Sequence, residues 1–152
     1  MTNIRFEKTK IAELKEQADR DGIQKLVAGA IIIRDQKVLL LRRAKGEFME
    51  GLVELPSGAI EADEDIITGL IREITEETSL EVDSVENYID SFDYLSRSGK
   101  KTRQLNFSVK TTGDIKINPT EHDYFFWADP KGSEIQSTNL SEEVKQSIRK
   151  AT

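Results

Sequence analysis

The residues best suited to chemistry are acidic and lie close together in residues 58–80, which read GAIEADEDIITGLIREITEETSL. Three of them, Glu73, Glu76 and Glu77, recur at i, i+3 and i+4, so a helix would place them on one face. Like charges at this spacing repel one another and destabilise a helix, and a divalent cation would remove that repulsion. Mg²⁺ and Mn²⁺ take oxygen ligands from carboxylates, water and phosphate, so the cluster indicates a metal site. The alternative from the residues alone is an acidic face exposed to solvent.

The residues around this cluster predict a helix and the backbone turn that precedes it. Gly58 predicts a backbone turn that brings a carbonyl group close to the same ion. Asp63 is the predicted N-cap, with Glu64 and Asp65 in the first turn, where the helix dipole favours negative charge. The apolar residues recur at i, i+3, i+4 and i+7, which predicts a buried face made of Ile67, Leu70, Ile71 and Ile74.

The spacing of these residues resembles the Nudix box. That pattern is a glycine, five residues, a glutamate, seven residues and Arg-Glu, followed by an apolar residue, any residue, Glu-Glu, any residue, a glycine and an apolar residue. The chain matches it at Gly58, Glu64, Arg72, Glu73, Ile74, Glu76, Glu77 and Leu80. It departs at Ser79, where the family has glycine, and the departure concerns the helix end because glycine supplies a left-handed cap there.

The resemblance implies metal-dependent hydrolysis of a diphosphate linkage in a nucleoside diphosphate derivative, with Mg²⁺ or Mn²⁺ as the cofactor. Glu73 and Glu77 are the expected ligands, together with the Gly58 carbonyl named above, and Glu76 is expected to assist as a ligand or a base. Arg72 is expected to orient a catalytic carboxylate. Glu64 is expected to pair with Arg72 and to stabilise the box, and the alternative is that it also reaches a metal.

Candidate substrate and metal contacts also lie outside the box. Arg42 and Arg43 follow a predicted strand, where guanidinium groups can bind phosphate oxygens in pairs or simply stay in solvent. Glu54 is either a strand-surface residue or a substrate contact. The resemblance implies a further metal ligand at Glu121, ahead of Trp127, and the alternative is a loop carboxylate in water.

His122 is the single histidine, and the chain contains no cysteine. These counts exclude disulfides, thiolate metal sites and the usual zinc-hydrolase arrangements. A lone histidine is typical of a structural hydrogen bond, and the alternative is that His122 lies with its neighbours at the mouth of the expected site.

The hydrophobic pattern predicts the elements that must position these residues. Strands are predicted over residues 26–33, 37–41, 51–55, 82–94, 102–111 and 124–127, with a short edge at 115–117. Helices are predicted over residues 6–21, over the box, and from a Ser141 cap through residue 149. The resemblance implies an α/β fold, a Nudix-type α/β/α sandwich with a central mixed sheet, to which an N-terminal helix is added. The box helix and the terminal helix are expected on opposite faces of that sheet.

Length and charge bound the remaining expectations. The chain has 152 residues, a formal charge of -6 and a pI of about 5.0, which argues against stable nucleic-acid binding but not against a nucleotide substrate. We expect one domain over residues 1–152, with residues 1–23 as a helical extension that packs on the domain or makes a dimer contact. The chain shows no apolar run typical of a signal peptide or a membrane span, so a cytoplasmic monomer or homodimer is expected.

The substrate is the least determined expectation. Leu95 stands where families that resemble ADP-ribose hydrolases carry proline, and Tyr94 lies near the tyrosine position of dinucleoside-polyphosphate hydrolases. The sequence leans slightly toward a nucleoside triphosphate or a similar small nucleotide. The alternatives are a catalytically inactive Nudix-fold ligand sensor or interaction module, and a structural domain with a solvated acidic helix.

Overall fold

A computed structural model describes residues 2–152. Its strands are β1 (Asn3–Ile4), β2 (Lys25–Arg34), β3 (Lys37–Arg43), β4 (Val53–Glu54), β5 (Ser57–Ala59), β6 (Glu81–Leu95), β7 (Lys101–Thr112) and β8 (His122–Ala128). Its helices are α1 (Lys8–Arg20), α2 (Ile66–Thr78), α3 (Ser133–Ser137) and α4 (Glu142–Ala151). None of the helices in this range is long and apolar enough to cross a membrane.

The strands form one mixed sheet in the order β1-β6-β7-β2-β3-β4, with β5 added to β2 and β8 added to β3. β2 runs parallel to β7 along one edge. Along its other edge it pairs first with β5 and then, near its end, with β3. Because β4 pairs with β3 and β5 pairs with β2, residues 53–59 cross from one strand to the other. The box begins at this crossing.

The two faces of the sheet carry separate helical layers, as the sandwich prediction requires. Alternation along β2 sends Ile32 into a core cluster with Leu70 of α2, and Ile31 into another cluster with Ile148 of α4. The first cluster also contains Leu14, so α1 packs on the same face as α2. The predicted α/β/α sandwich with an added N-terminal helix is confirmed.

The predicted start of the box helix is wrong. Its N-cap is Asp65, whose side chain accepts a hydrogen bond from the Thr68 N–H at 3.3 Å, and Asp63 and Glu64 precede the helix. The later start leaves Glu64 in a loop, where its carboxylate accepts from the Glu61 N–H and reaches Arg72. A helix that began at Asp63 would move the Glu64 carboxylate away from Arg72.

The predicted edge strand at residues 115–117 is also absent from the sheet. The Lys116 N–H donates to the Thr78 carbonyl at 2.9 Å, and the Lys116 carbonyl accepts from the Ser79 hydroxyl. The backbone of this segment therefore forms hydrogen bonds with the end of α2 and not with a neighbouring strand. Ile115 and Ile117 pack on the core.

The remaining differences concern lengths and short elements. Five strands (β2, β3, β6, β7 and β8) extend one or more residues beyond their predicted ends, so Arg42 and Arg43 lie within β3 and His122 begins β8. By contrast, β4 covers only Val53–Glu54 of the predicted 51–55. β1, β5 and α3 carry no strong periodic signal in so few residues. The division into one domain with residues 1–23 as an extension stays a prediction.

Candidate active site

Arg72 is the centre of an ionic network at the middle of α2. Its guanidinium donates twice to Glu64, at 2.7 and 2.8 Å, and also to the Ala59 carbonyl at 3.1 Å. Its remaining nitrogen donates to Glu73 at 2.9 Å and to Glu76 at 3.2 Å. The predicted Glu64–Arg72 pair is thus present, and its hydrogen bonds lower the pKa of Glu64 to about 2. One arginine aligns the loop before the helix with two of the three helix carboxylates.

Glu77 lies on the inner side of the same helix, with only 9% of its surface exposed. One carboxylate oxygen accepts from the Ser57 N–H at 2.7 Å, at the crossing between β4 and β5. Burial, followed by the negative charges of Glu54, Glu73 and Glu121, raises the pKa of Glu77 to about 9, although the Ser57 contact opposes the rise. The helix face is therefore not a uniformly solvated acidic surface.

Gly58 and Glu73 meet where β5 passes α2. A methyl group on Gly58 would overlap the Glu73 carboxylate in the position where Arg72 holds it, so glycine allows this close approach. Burial raises the pKa of Glu73, and its contact with Arg72 opposes that rise. The structure therefore places the Gly58 backbone against one of the predicted ligands.

Glu54 is held from two sides. Arg43 donates to it through two nitrogens at 3.0 and 3.1 Å, and Nε2 of His122 lies 2.9 Å from the same carboxylate. Burial would raise the pKa of Glu54, but the hydrogen bonds from His122 and Arg43 outweigh it and lower that pKa. Arg43 also donates to the Phe48 carbonyl, so its guanidinium is committed to protein partners.

Glu121 and His122 enter from the start of β8. The Glu121 carbonyl accepts from the Ala44 N–H at 2.9 Å, which fixes this turn against the end of β3. One carboxylate oxygen of Glu121, one of Glu77 and one ring nitrogen of His122 lie within 4.8 Å of one another. Two segments far apart in the sequence thus present ligand atoms to a single point.

The donor set fits a divalent cation. Glu77 is a buried carboxylate with negative neighbours, and a positive ion is the partner that stabilises its charged form. Carboxylate and carbonyl oxygens are the ligands that Mg²⁺ and Mn²⁺ prefer. Glu73, Glu77, Glu121 and the Gly58 carbonyl are the residues that could hold such an ion.

Two predicted site residues lie at the margin of this arrangement. Glu76 is 58% exposed in its side chain and has Arg72 as its ionic contact. Arg42 pairs with Asp123 at 2.9 Å and stacks over the Tyr124 ring, on an exposed part of β8. The roles assigned to both from the sequence stay predictions.

Ser79 occupies the position that the box reserves for glycine. Its φ is 63°, in the left-handed region, and its N–H donates to the Thr75 carbonyl at 2.9 Å. The serine therefore keeps the backbone of the glycine cap, and its hydroxyl contacts the Lys116 carbonyl.

Sequence reasoning missed the depth of His122 and the part played by Ser57. His122 is 3% exposed and lies inside the site, not at its mouth. Its place next to Glu121 was the available signal. Ser57 acts through a backbone N–H, for which the sequence carries no signal.

A cavity of about 830 Å³ lies elsewhere, between α1 and the loop that leads into α2. Its wall includes Ile11, Lys15 and Glu64 but not Glu73 or Glu77. The candidate active site is therefore assigned on chemistry and not on volume.

Comparison with known proteins gives a family and relatives. The family model described as the NUDIX domain matches residues 24–149. A MutT-like protein of Streptomyces ambofaciens is 32% identical over 108 residues, which cover 68% of this chain and 62% of that protein. A CTP pyrophosphohydrolase of Escherichia coli (strain K12) is 40% identical over 65 residues, or 43% of this chain and 47% of that enzyme. The chain spans less than two thirds of the length of the curated relatives it matches.

Solved structures agree on the fold. A MutT Nudix hydrolase from Burkholderia pseudomallei superposes with a TM-score of 0.73 at 21% identity, covering 84% of this chain and 98% of that one. The E. coli ORF135 protein superposes with a TM-score of 0.71 at 26% identity, covering 87% of this chain and 91% of that one.

Proposed function

Because the chain belongs to the Nudix hydrolase family, we propose that it hydrolyses a diphosphate linkage in a nucleoside diphosphate derivative, and that this activity depends on Mg²⁺ or Mn²⁺. The observation that carries the proposal is the Glu77 carboxylate, buried on α2 and surrounded by the charges of Glu54, Glu73 and Glu121. A buried anion of this kind is unfavourable on its own and favourable beside a cation.

The residues that would hold the ion are Glu73, Glu77, Glu121 and the Gly58 carbonyl. A divalent ion bound there supplies positive charge to the diphosphate oxygens and makes water more acidic. Ser57 keeps one oxygen of Glu77 in place through its N–H, so the other oxygen is directed by the backbone and not by side-chain rotation. This preorganisation is the part of catalysis that the fold contributes.

Arg72 and Glu76 have different tasks in the proposal. Arg72 holds Glu64 and Glu73 and thereby positions a ligand without touching the substrate. Glu76 is exposed and lies within one helical turn of Glu73, so its carboxylate is available to accept a proton from the attacking water. As a further ligand it would serve the same site.

We propose a nucleoside triphosphate or a similar small nucleotide as the substrate. The support is the similarity to the CTP pyrophosphohydrolase of E. coli. The sequence also slightly favours a nucleoside triphosphate. Arg42 stacks on Tyr124 and is partly exposed, so it is the arginine of the pair that can approach a phosphate. Arg43 acts instead through Glu54.

The test is release of phosphate or pyrophosphate from a panel of triphosphates, nucleotide sugars and dinucleoside polyphosphates, with and without Mg²⁺. We expect turnover of at least one triphosphate that chelation abolishes and Mg²⁺ restores. Glu16→Gln is the matched control, because it removes an exposed carboxylate from α1. Absence of turnover on the whole panel, with metal binding intact, would favour the ligand-sensor alternative.

A further inference from the structure

His122 is a buried group for which the proposed reaction has no use. It is the one histidine of the chain and is 3% exposed. Nε2 lies 2.9 Å from a Glu54 oxygen, whereas Nδ1 is buried and has no hydrogen-bond partner among residues 2–152. A buried polar atom without a partner costs free energy unless something else binds it.

The contact with Glu54 determines which nitrogen carries the proton. The Glu54 carboxylate already accepts two hydrogen bonds from Arg43, so it faces His122 as an acceptor. Nε2 must therefore donate, and in the neutral ring Nδ1 is left with a lone pair. The ring is held in this orientation because Arg43 fixes its partner.

The surroundings of the ring contain acceptors. One ligand atom each from His122, Glu77 and Glu121 lies within 4.8 Å of the other two. Because Nε2 is bonded to Glu54, Nδ1 is the ring nitrogen with a lone pair left for this group. The Nδ1 lone pair and two ionised carboxylates cannot hydrogen-bond one another, and a proton on Glu77 would reach only one of the other two. A cation among them satisfies all three.

We propose that Nδ1 of His122 is a metal ligand and that it completes, with Glu77 and Glu121, a mixed nitrogen–oxygen position that prefers a first-row transition ion to Mg²⁺. The inference rests on the proposed function, since it concerns an ion at the same site. Imidazole suits transition ions, whereas Mg²⁺ takes oxygen ligands and keeps its water. Metal-binding histidines also donate their other ring N–H to a carboxylate, which is the position that Glu54 holds here.

The direct test uses the single histidine. In protein labelled with ¹⁵N-histidine, the imidazole nitrogen spectrum contains signals from His122 alone. We expect Zn²⁺, a diamagnetic probe, to move the Nδ1 signal while Nε2 keeps its proton, and Mg²⁺ to leave Nδ1 in place. If saturating Zn²⁺ moves neither signal, or moves Nε2 and removes its proton, the proposal is overturned.

A variant series tests the same point by affinity. In His122→Gln, the side-chain amide can still donate to Glu54 in place of Nε2, but no atom replaces Nδ1. The variant therefore removes the proposed metal ligand and keeps the contact with Glu54. We expect its calorimetric Kd for Zn²⁺ to rise about tenfold or more, with the Kd for Mg²⁺ changed by less than about twofold. An equal loss for both ions, or for neither, overturns the proposal. If the variant does not fold, the spectrum of the wild-type protein decides alone.

The two proposals fail separately. Mg²⁺-dependent hydrolysis by the wild-type protein tests the function and makes no use of the imidazole signal. Hydrolysis with an unmoved Nδ1 would overturn the inference and leave the function standing. A shifted Nδ1 without turnover on any substrate would overturn the function and support the inference.

Discussion

At the scale of single residues, Glu77 combines the features that tie a side chain to a metal. It is buried, it is fixed at one oxygen by a backbone N–H, and its nearest charges are negative. Glu76 is its sequence neighbour but is mostly exposed and contacts Arg72. Two adjacent glutamates of one box therefore differ in chemistry because the helix turns one of them inward.

Glu77→Gln should separate chemistry from folding. The amide keeps an acceptor for the Ser57 N–H but cannot carry the charge, so we expect turnover to fall about a hundredfold or more. Without metal the variant should not melt lower than the wild-type protein, since the neutral amide avoids the cost of burying an ionisable carboxylate. The measurements are hydrolysis and metal-free thermal melting. A variant that melts several degrees lower and keeps near-normal turnover would show that Glu77 is structural.

Arg72→Ala should affect both stability and rate. It leaves Glu64 and Glu73 without their shared partner, so we expect a lower free energy of unfolding, with little of the loss coming from the exposed contact to Glu76. Arg149→Ala is the control, because Arg149 is exposed and pairs with Glu142, which is also exposed. Denaturant unfolding measures both variants. Equal, small changes would mean that the network around Arg72 adds no stability.

At the scale of elements, the geometry of the box depends on the end of α2 and on the crossing between β4 and β5. The left-handed residue at the end of α2 turns the chain into β6, and the segment after β7 bonds to the same helix end. Ser79 adopts this conformation at a cost that glycine would not incur.

Ser79→Gly should therefore stabilise the protein by about 0.5–1 kcal/mol. Loss of the exposed hydrogen bond from the Ser79 hydroxyl to the Lys116 carbonyl should offset a part of this gain. Ser79→Ala is the matched variant, because it keeps the strained φ and loses the same contact. We expect the glycine variant to melt slightly higher and the alanine variant slightly lower, with turnover unchanged in the glycine variant. A lower melting temperature for glycine would show that the hydroxyl contact outweighs the backbone strain.

At the scale of the whole molecule, local patterns predicted the elements and long-range pairing decided the site. Hydrophobic alternation predicted most of the strands and helices, and the resemblance to the Nudix box implied the sandwich and the Glu64–Arg72 pair. These local patterns could not show that Arg43 forms an ion pair with Glu54, because that contact depends on β3 pairing with β4. The burial of His122 likewise follows from β8 lying against β3, more than seventy residues away in the chain.

Metal binding should be visible in the stability of the whole chain, because Glu77 lies on α2, Glu121 lies before β8, and an ion would connect the two. An ion that binds the folded state at 100 times its Kd adds about 2.7 kcal/mol. For a chain of this size that corresponds to roughly 5–11 °C in melting temperature. The control is NaCl at equal ionic strength, since the formal charge of -6 makes screening alone stabilising. Glu16→Gln should keep the rise and Glu77→Gln should lose most of it. If Glu77→Gln keeps the full rise, the ion binds away from α2, and the assignment of the chemistry to this helix is wrong.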